Sequence, residues 1–506
     1  MQSPAKIPVI VGVGEVIDRP AQISDALEPV ALMAQALRNA AEDAGNTALL
    51  EDADSLDLIG LFSWSYKNPV GTLSEMLGIY PKRQVNVSMG GENPTKLIHE
   101  AALRILQGQG CTALIAGGEA LSSLNKIMKT GEMPPWTAPA STEETFPFAN
   151  AKICLSPIAE KLGSIDPAQL YPFYEVAFQA EQNITPEQGL IDNAQLWERY
   201  ADVAADNEMA WIRNKPRAAE IATITEHNRM VSWPYPKLMM ANPAVNQGAA
   251  VIVTSLEKAR ALGIAEDKLI YIWGGGHAIE ADDFLHRDNY IHSSAQEAVL
   301  DKALALVGND ASRFDFMELY SCFPIVPKMA RAYLGLENSA QSPTVAGGLT
   351  FFGGPINNYM SHACSAMVQK LRAQPGSIGL LYGQGGFVNK HHSLVLSNHA
   401  PEAEFTADFS LQDEANKRLA PIPERLEENY NGPAQIETYT VIFNRDGSPK
   451  QGVVVFLSPA GKRGMAKVSL ENQAALERLL DAKQTAVGLQ GNITLADDGL
   501  PEWHYQ

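Results

Sequence analysis

Glu318-Leu319-Tyr320-Ser321-Cys322-Phe323-Pro324 joins a predicted strand over residues 314–319 to a predicted helix over residues 324–336. Pro324 suits a first helical turn, where its missing N–H would have no partner in any case. Ile325, Met329 and Tyr333 then recur at helical spacing. A cysteine just ahead of such a turn faces unpaired N–H groups and the positive end of a helix dipole, which favours the thiolate. Cys322 is therefore the first candidate for nucleophilic or acid/base work. The competing reading is a small buried hydrophobe, the usual fate of a lone cysteine.

Working outward, the same strand-then-helix unit repeats along the chain. Residues 8–15 (PVIVGVGE) read as a strand, and residues 24–44 as a helix closed by Gly45. Strands follow over 56–62, 84–88 and 111–118, with a helix over 95–106 between the last two. From about 124 to 238 prolines and aromatics become dense, and a helix over 191–210 is expected without strands. Long insertions of this kind commonly cover a site.

Alternation returns with a strand over 249–254 and a helix over 256–262. A second cycle opens with the strand 269–276 and the helix 294–307. It continues through the Cys322 junction, residues 347–355, a helix over 358–373, and strands over 377–382 and 392–397. This implies an α/β fold, built on a mostly parallel sheet covered on both faces and arranged as two successive halves. Asn357 and Asn358 are expected to cap the helix that follows them. Beyond residue 401, an acidic linker over 414–432 precedes strands over 436–444 and 452–457, the pattern of a small β-barrel-like domain.

The 506 residues include 39 basic and 58 acidic ones, a net charge of −19. From residue 401 onward the balance is 10 basic against 16 acidic, or −6. Such a surface repels nucleic acid and anionic membranes. No apolar run approaches the roughly 18 residues of a membrane span, so a cytoplasmic protein is expected. Cys111, Cys154, Cys322 and Cys364 are scattered. Their spacing indicates neither a disulfide framework nor a metal site.

Several of these strings together resemble the thiolase superfamily, in its branch of type-1 thiolase-like proteins, acetyl-CoA acetyltransferase-like, with an additional C-terminal domain. They are Arg83-Gln84-Val85-Asn86-Val87-Ser88-Met89-Gly90-Gly91, Ala116-Gly117-Gly118-Glu119, residues 242–250 (NPAVNQGAA), and the segments 318–324, 347–355 and 380–386. The resemblance covers about residues 6–400. It implies a duplicated thiolase fold of two βαβαβ halves: residues 1–123 with 239–268, and residues 269–400. The insertion 124–238 would serve as a lid, and residues 401–506 as the added β domain, OB-like in pattern.

Catalysis in this superfamily needs a cysteine to carry the acyl group, an acid/base group at the α-carbon, and oxyanion holes. Here the family's cysteine falls on Met89, which cannot be acylated, and Tyr320 stands at an oxyanion position. Gly353-Gly354-Pro355 lacks the family's histidine, and Gly383-Gln384-Gly385 lacks its late thiol. Cys322 occupies the slot of an active-site acid/base cysteine, with His362, His391 or His392 as candidate partners. Ser88, Met89, Tyr320, Gly354, Gly383 and Gly385 complete the expected site.

The resemblance therefore implies a thiolase-like acyltransferase acting on acyl-CoA or a related thioester, with CoA or acyl-CoA as ligand and no covalently bound cofactor or metal. It also implies a homodimer or a protein partner, and a place in lipid metabolism. The alternative is a catalytically inactive CoA-binding protein that recruits a partner through its C-terminal domain.

Overall fold

The computed structural model describes residues 2–141, 155–401 and 403–505; Cys154 lies outside the described residues. In chain order the strands are β1 (Pro8–Ile17), β2 (Ser55–Leu58), β3 (Arg83–Asn86), β4 (Thr112–Ala120), β5 (Met230–Ser232), β6 (Tyr235–Pro236), β7 (Asn246–Ser255) and β8 (Ile270–Ile279). They continue with β9 (Phe316–Leu319), β10 (Ile378–Gly385), β11 (Lys390–Ser397), β12 (Gly432–Phe443), β13 (Pro449–Leu457), β14 (Arg463–Val468), β15 (Gln490–Leu495) and β16 (Pro501–Tyr505).

Nine of them form one sheet in the order β3-β2-β4-β7-β1-β8-β11-β10-β9. Reading outward from the β1–β8 seam, the first half places its strands first, fifth, fourth, second, third. The second half places them first, fifth, fourth, second, with no third strand among the described residues. Gly348–Phe352 holds that place in the chain and forms a short helical turn instead, with Gly347 just ahead of it. Gly347 and Gly348 have φ of 119° and 78°, left-handed values that a strand does not accommodate. The insertion helix Pro186–Asp206 also presses on this turn: a methyl on Gly347 would come within 2.6 Å of Ala204.

The sheet is mixed rather than mostly parallel. Only β2–β3, β2–β4 and β9–β10 run parallel. β4–β7, β1–β7, β1–β8, β8–β11 and β10–β11 run antiparallel. Parallel pairing needs a crossover, usually through a helix. β7 arrives instead from the far end of the insertion, and β11 follows β10 after a tight turn, so neither is bound to that direction. The halves touch edge to edge only at Val9↔Tyr271 and Ile10↔Ile270.

Two helices, Asn93–Leu106 and Tyr359–Ala373, each touch strands of both halves and bind them into one body. Their central position explains their sequences, because Leu97, Ile98, Ala101, Ala102, Ala363, Met367 and Val368 are all buried. Pro29–Ala44 covers the outer face of β1, β4 and β7, and Ser294–Leu306 covers β8 and β11. The first begins at Pro29 rather than at residue 24, since Ile23–Asp25 forms a separate short turn.

The C-terminal strands β12, β13, β14, β16 and β15 close into a five-stranded barrel. Tyr439, Val441, Val454, Phe456, Ile493 and Trp503 are buried in its core. The linker before it holds the helix Gln412–Arg418. The barrel is fastened to the rest of the chain from two sides. Thr438 Oγ1 donates to the Phe173 carbonyl at 2.6 Å, and β5 bridges to β12 at Ser232↔Ile442. The fully buried Arg463 guanidinium pairs with Glu437 and donates to the carbonyls of Leu285, Arg287 and Asp288.

Candidate active site

The carboxyl ends of β3, β9 and β10 open toward one cavity of about 510 Å³. This is where α/β sheets place their sites, because the loops leaving these ends are free of sheet hydrogen bonding. The turn after β3 supplies Met89, Gly90 and Gly91, and the junction after β9 supplies Tyr320, Cys322 and Phe323. Gly354, Ile356 and Asn357 follow the Gly348–Phe352 turn, and Gln384 and Gly385 end β10. The insertion helix Pro167–Glu181 closes another wall with Tyr171.

Cys322 is half-buried in this wall. Its Sγ lies 3.6 Å from Gln384 Oε1, and Tyr171 is its neighbour in the cavity wall. Tyr171 Oη also donates to Gln384 Oε1 at 3.0 Å and to the Gly386 carbonyl at 2.9 Å. Its ring stacks on Phe323 at 4.5 Å, which fixes the hydroxyl beside the sulfur.

Burial works against the thiolate expected from the helix start. Burial pushes the thiol up to about 12, against the smaller opposing effects of the Tyr171 hydroxyl and the Phe323 and Cys322 backbone. A displacement of that size corresponds to about 4 kcal/mol. A helix N-terminus contributes only about 0.3–1 kcal/mol. Desolvation wins, and the thiol carries its proton at neutral pH.

The expected imidazole partners are elsewhere. His362 Nδ1 meets Glu15 Oε1 at 2.7 Å, joining its helix to β1. His391 is held by Tyr382 Oη at 2.7 Å and Ser293 Oγ at 3.1 Å, and burial lowers it to about 4. His392 packs against His99, with 3.2 Å between their ring nitrogens. None of the three lines the cavity. Ser88 is exposed, and only its carbonyl is engaged, by Asn93 Nδ2 at 2.6 Å. Gly383 is buried against Thr95 and Glu92. Met89, Tyr320, Cys322, Gly354 and Gly385 do share the cavity.

Asn357 does not cap the next helix as expected. Its Oδ1 accepts from Gly90 N at 2.9 Å, and its Nδ2 donates to the Gly60 carbonyl at 2.7 Å and to Met89 Sδ at 2.9 Å. It thereby ties the Met89 turn to the opposite half. Asn358 stands at the N-cap, but its side chain donates to the Gly117 carbonyl and makes no cap bond. Ile356 lines the cavity with φ of 45°, a conformation that costs a β-branched residue about 1–3 kcal/mol and is typical of sites held under strain.

Residues 411–499 match the family described as "Thiolase-like protein type 1 additional C-terminal domain". A crystal structure of a monomeric SCP2-thiolase-like protein type 1 from Mycobacterium smegmatis superposes with a TM-score of 0.84 at 27% identity, covering 100% of both chains. Residues 411–499 are thus similar to that additional C-terminal domain, and the chain as a whole has the fold of the thiolase-like protein it superposes on. More distant relatives share the fold alone. The Ltp2-ChsH2(DUF35) aldolase gives a TM-score of 0.58 at 18% identity over 78% of this chain and 98% of that one. The dimeric peroxisomal thiolase of Saccharomyces cerevisiae gives 0.57 at 14% over 79% and 99%. Among curated proteins compared by sequence, none matches.

The cavity thus presents the thioethers of Met89 and Met240, the Cys322 thiol, the phenols of Tyr171 and Tyr320, the carboxyl groups of Asp166 and Asp282 and the amino group of Lys390. Among the described residues, no group of three or more His, Cys, Asp or Glu side chains is arranged to hold a metal ion. No helix among them is long and apolar enough to cross a membrane. Sequence reasoning missed Tyr171 and Gln384, the two groups beside Cys322. Tyr171 sits in an insertion read only as a cover, and Gln384 was noted only as the residue between two glycines.

Proposed function

We propose that this protein holds an acyl-CoA or related thioester in the cavity and acts on it with Cys322 as a proton donor and acceptor at the carbon beside the thioester carbonyl. The observation that carries this reading is the Cys322 thiol in the cavity wall, while Met89 stands in the turn that would bring an acyl-carrying nucleophile. A thioether cannot be acylated, whereas a neutral thiol can protonate a developing enolate. The Tyr171 hydroxyl, which donates to Gln384 Oε1 and the Gly386 carbonyl beside the sulfur, turns its proton to the thiolate left behind. Lys390 lines the cavity as a cation suited to a phosphate or carboxylate of the ligand.

The test is Cys322→Ala assayed with several acyl-CoAs. Turnover is expected to vanish while the circular dichroism spectrum and melting temperature stay close to wild type. Full activity in that variant would sink the reading.

A second reading is a protein that binds the thioester without converting it and recruits a partner through the barrel. It is favoured by the separation of all three candidate histidines from Cys322. Calorimetry with acetyl-CoA followed by a turnover assay separates the two, since binding without loss of the acyl group supports the second.

A further inference from the structure

A second cavity, of about 500 Å³, opens between the insertion helices Pro167–Glu181 and Pro186–Asp206 and the helix Ile325–Tyr333 that Cys322 leads into. It shares no lining residue with the cavity that holds Cys322. Arg199 reaches it from Pro186–Asp206, and Lys328 and Arg331 from one face of Ile325–Tyr333. Phe178, Ile184 and Leu196 give it an apolar side.

Three arginines are buried among the described residues: Arg287, Arg331 and Arg463. Arg287 pairs with Glu280, and Arg463 with Glu437. Arg331, only 4% exposed, pairs with no carboxylate of the described residues. Its Nη2 donates instead to the carbonyls of Glu337 and Ser339 at 3.1 and 3.0 Å, and its Nη1 to that of Gln341 at 3.5 Å. Arg199 has no carboxylate partner among the described residues either, and its Nη1 donates to the same Ser339 carbonyl at 2.7 Å. Two guanidinium groups therefore converge on one neutral oxygen, which accepts their N–H groups but balances neither charge. A buried cation without a counter-ion is costly. Burial and the neighbouring Arg199 hold the Arg331 guanidinium below its usual range, against smaller opposing effects of Tyr200 and Glu337.

The other charges of the wall do not make up the difference. Lys328 is balanced by Glu175 and also donates to Asn193 Oδ1. Asp192 accepts from Gln188 Nε2 at 2.7 Å, and the exposed Glu337 gives Arg331 only its backbone carbonyl.

We propose that this cavity is a second ligand site, which takes a small molecule carrying a phosphate group on an apolar body, with Arg199 and Arg331 holding the phosphate. Guanidinium forks match phosphate oxygens in pairs, and a doubly charged phosphate balances two cations where a carboxylate balances one. The apolar body lies against Phe178, Ile184 and Leu196, and the volume leaves room for it. The site stands independently of the thioester reading.

The experiment is calorimetric titration of the full chain with phenyl phosphate at pH 8 and fixed ionic strength, for wild type, Arg199→Gln and Lys390→Gln, with benzoate as the singly charged probe on the same ring. Wild type is expected to bind phenyl phosphate at least about tenfold more tightly than benzoate. Arg199→Gln is expected to lose about tenfold or more, the loss of one charge-assisted contact. Lys390→Gln, altered in the other cavity, is expected to bind phenyl phosphate as wild type does. No binding by wild type, undiminished binding by Arg199→Gln, a loss in Lys390→Gln or equal affinity for benzoate would each overturn the site as proposed. Should Arg199→Gln fail to fold, the wild type alone decides through phenylglyoxal modification of arginine, read by peptide mass spectrometry. Protection of Arg199 by phenyl phosphate supports the site, and unchanged modification overturns it.

Discussion

At the scale of single residues, the proton on Cys322 fixes how the thiol behaves toward reagents. With burial pushing it up to about 12, the thiolate is about one part in ten thousand at pH 8. Cys111 is exposed. Iodoacetamide at pH 8 is therefore expected to label Cys111 first and to leave Cys322 largely unmodified, as read by peptide mass spectrometry; equal labelling would contradict the burial argument. Tyr171→Phe is expected to leave the Gln384 and Gly386 acceptors without their donor and to cost about 1–3 kcal/mol in chemical denaturation. It should also slow turnover if the phenol supports the sulfur. Cys322 was legible in the sequence because a cysteine before Pro324 marks a strand-to-helix junction. Its proton was not, because burial comes from Tyr171 and Phe323 folding over it, and Tyr171 lies 151 positions away in the chain.

At the scale of elements, the histidines show how a chemically suggestive residue becomes a fastener. His362 and Glu15 form a buried contact at 2.7 Å between the helix Tyr359–Ala373 and β1. Removing the imidazole leaves the Glu15 oxygen without that partner. His362→Ala is expected to lose about 2–4 kcal/mol of stability while acetyl-CoA affinity stays within about twofold. A large loss of affinity with unchanged stability would return His362 to the site. Helix periodicity located Ser294–Leu306 and Tyr359–Ala373 to within a residue or so of the expected ends, because each buries a wide apolar face. The second strand was expected to run to residue 62 but stops at Leu58, and Phe62 is 63% exposed. Its apolar residues beyond that point belong to a loop anchored by Glu119, a contact invisible to local pattern.

At the scale of the whole molecule, the duplication was legible as a repeated order of elements, whereas the mixed direction of the sheet depended on the insertion and the tight β10–β11 turn. What binds the halves also makes the fold sensitive to acid. The buried His99 on a central helix and His392 on β11 form a cluster with the half-buried His277 on β8, against Phe405 and Phe409. Burial lowers His99 to about 3 and His277 to about 4, and lowers His392 well below its usual value. The unfolded chain takes up these protons near pH 6.5, the folded chain only near 3 to 4. The stabilisation is thus complete above about pH 6.5 and is lost as pH falls toward the folded values. Glu119 and Glu318 pull the other way, since burial raises both to about 7 and the folded protein gains on protonating them first. A single melting curve would mix the two effects, so the cluster is isolated by comparing wild type with His99→Gln. The stability difference between them should shift by about 2 kcal/mol in favour of the variant between pH 7 and pH 5, measured by urea unfolding at each pH. A difference that stays constant over that interval would mean that His99 takes up its proton over the same pH range folded as unfolded, and the cluster would then be no source of acid sensitivity.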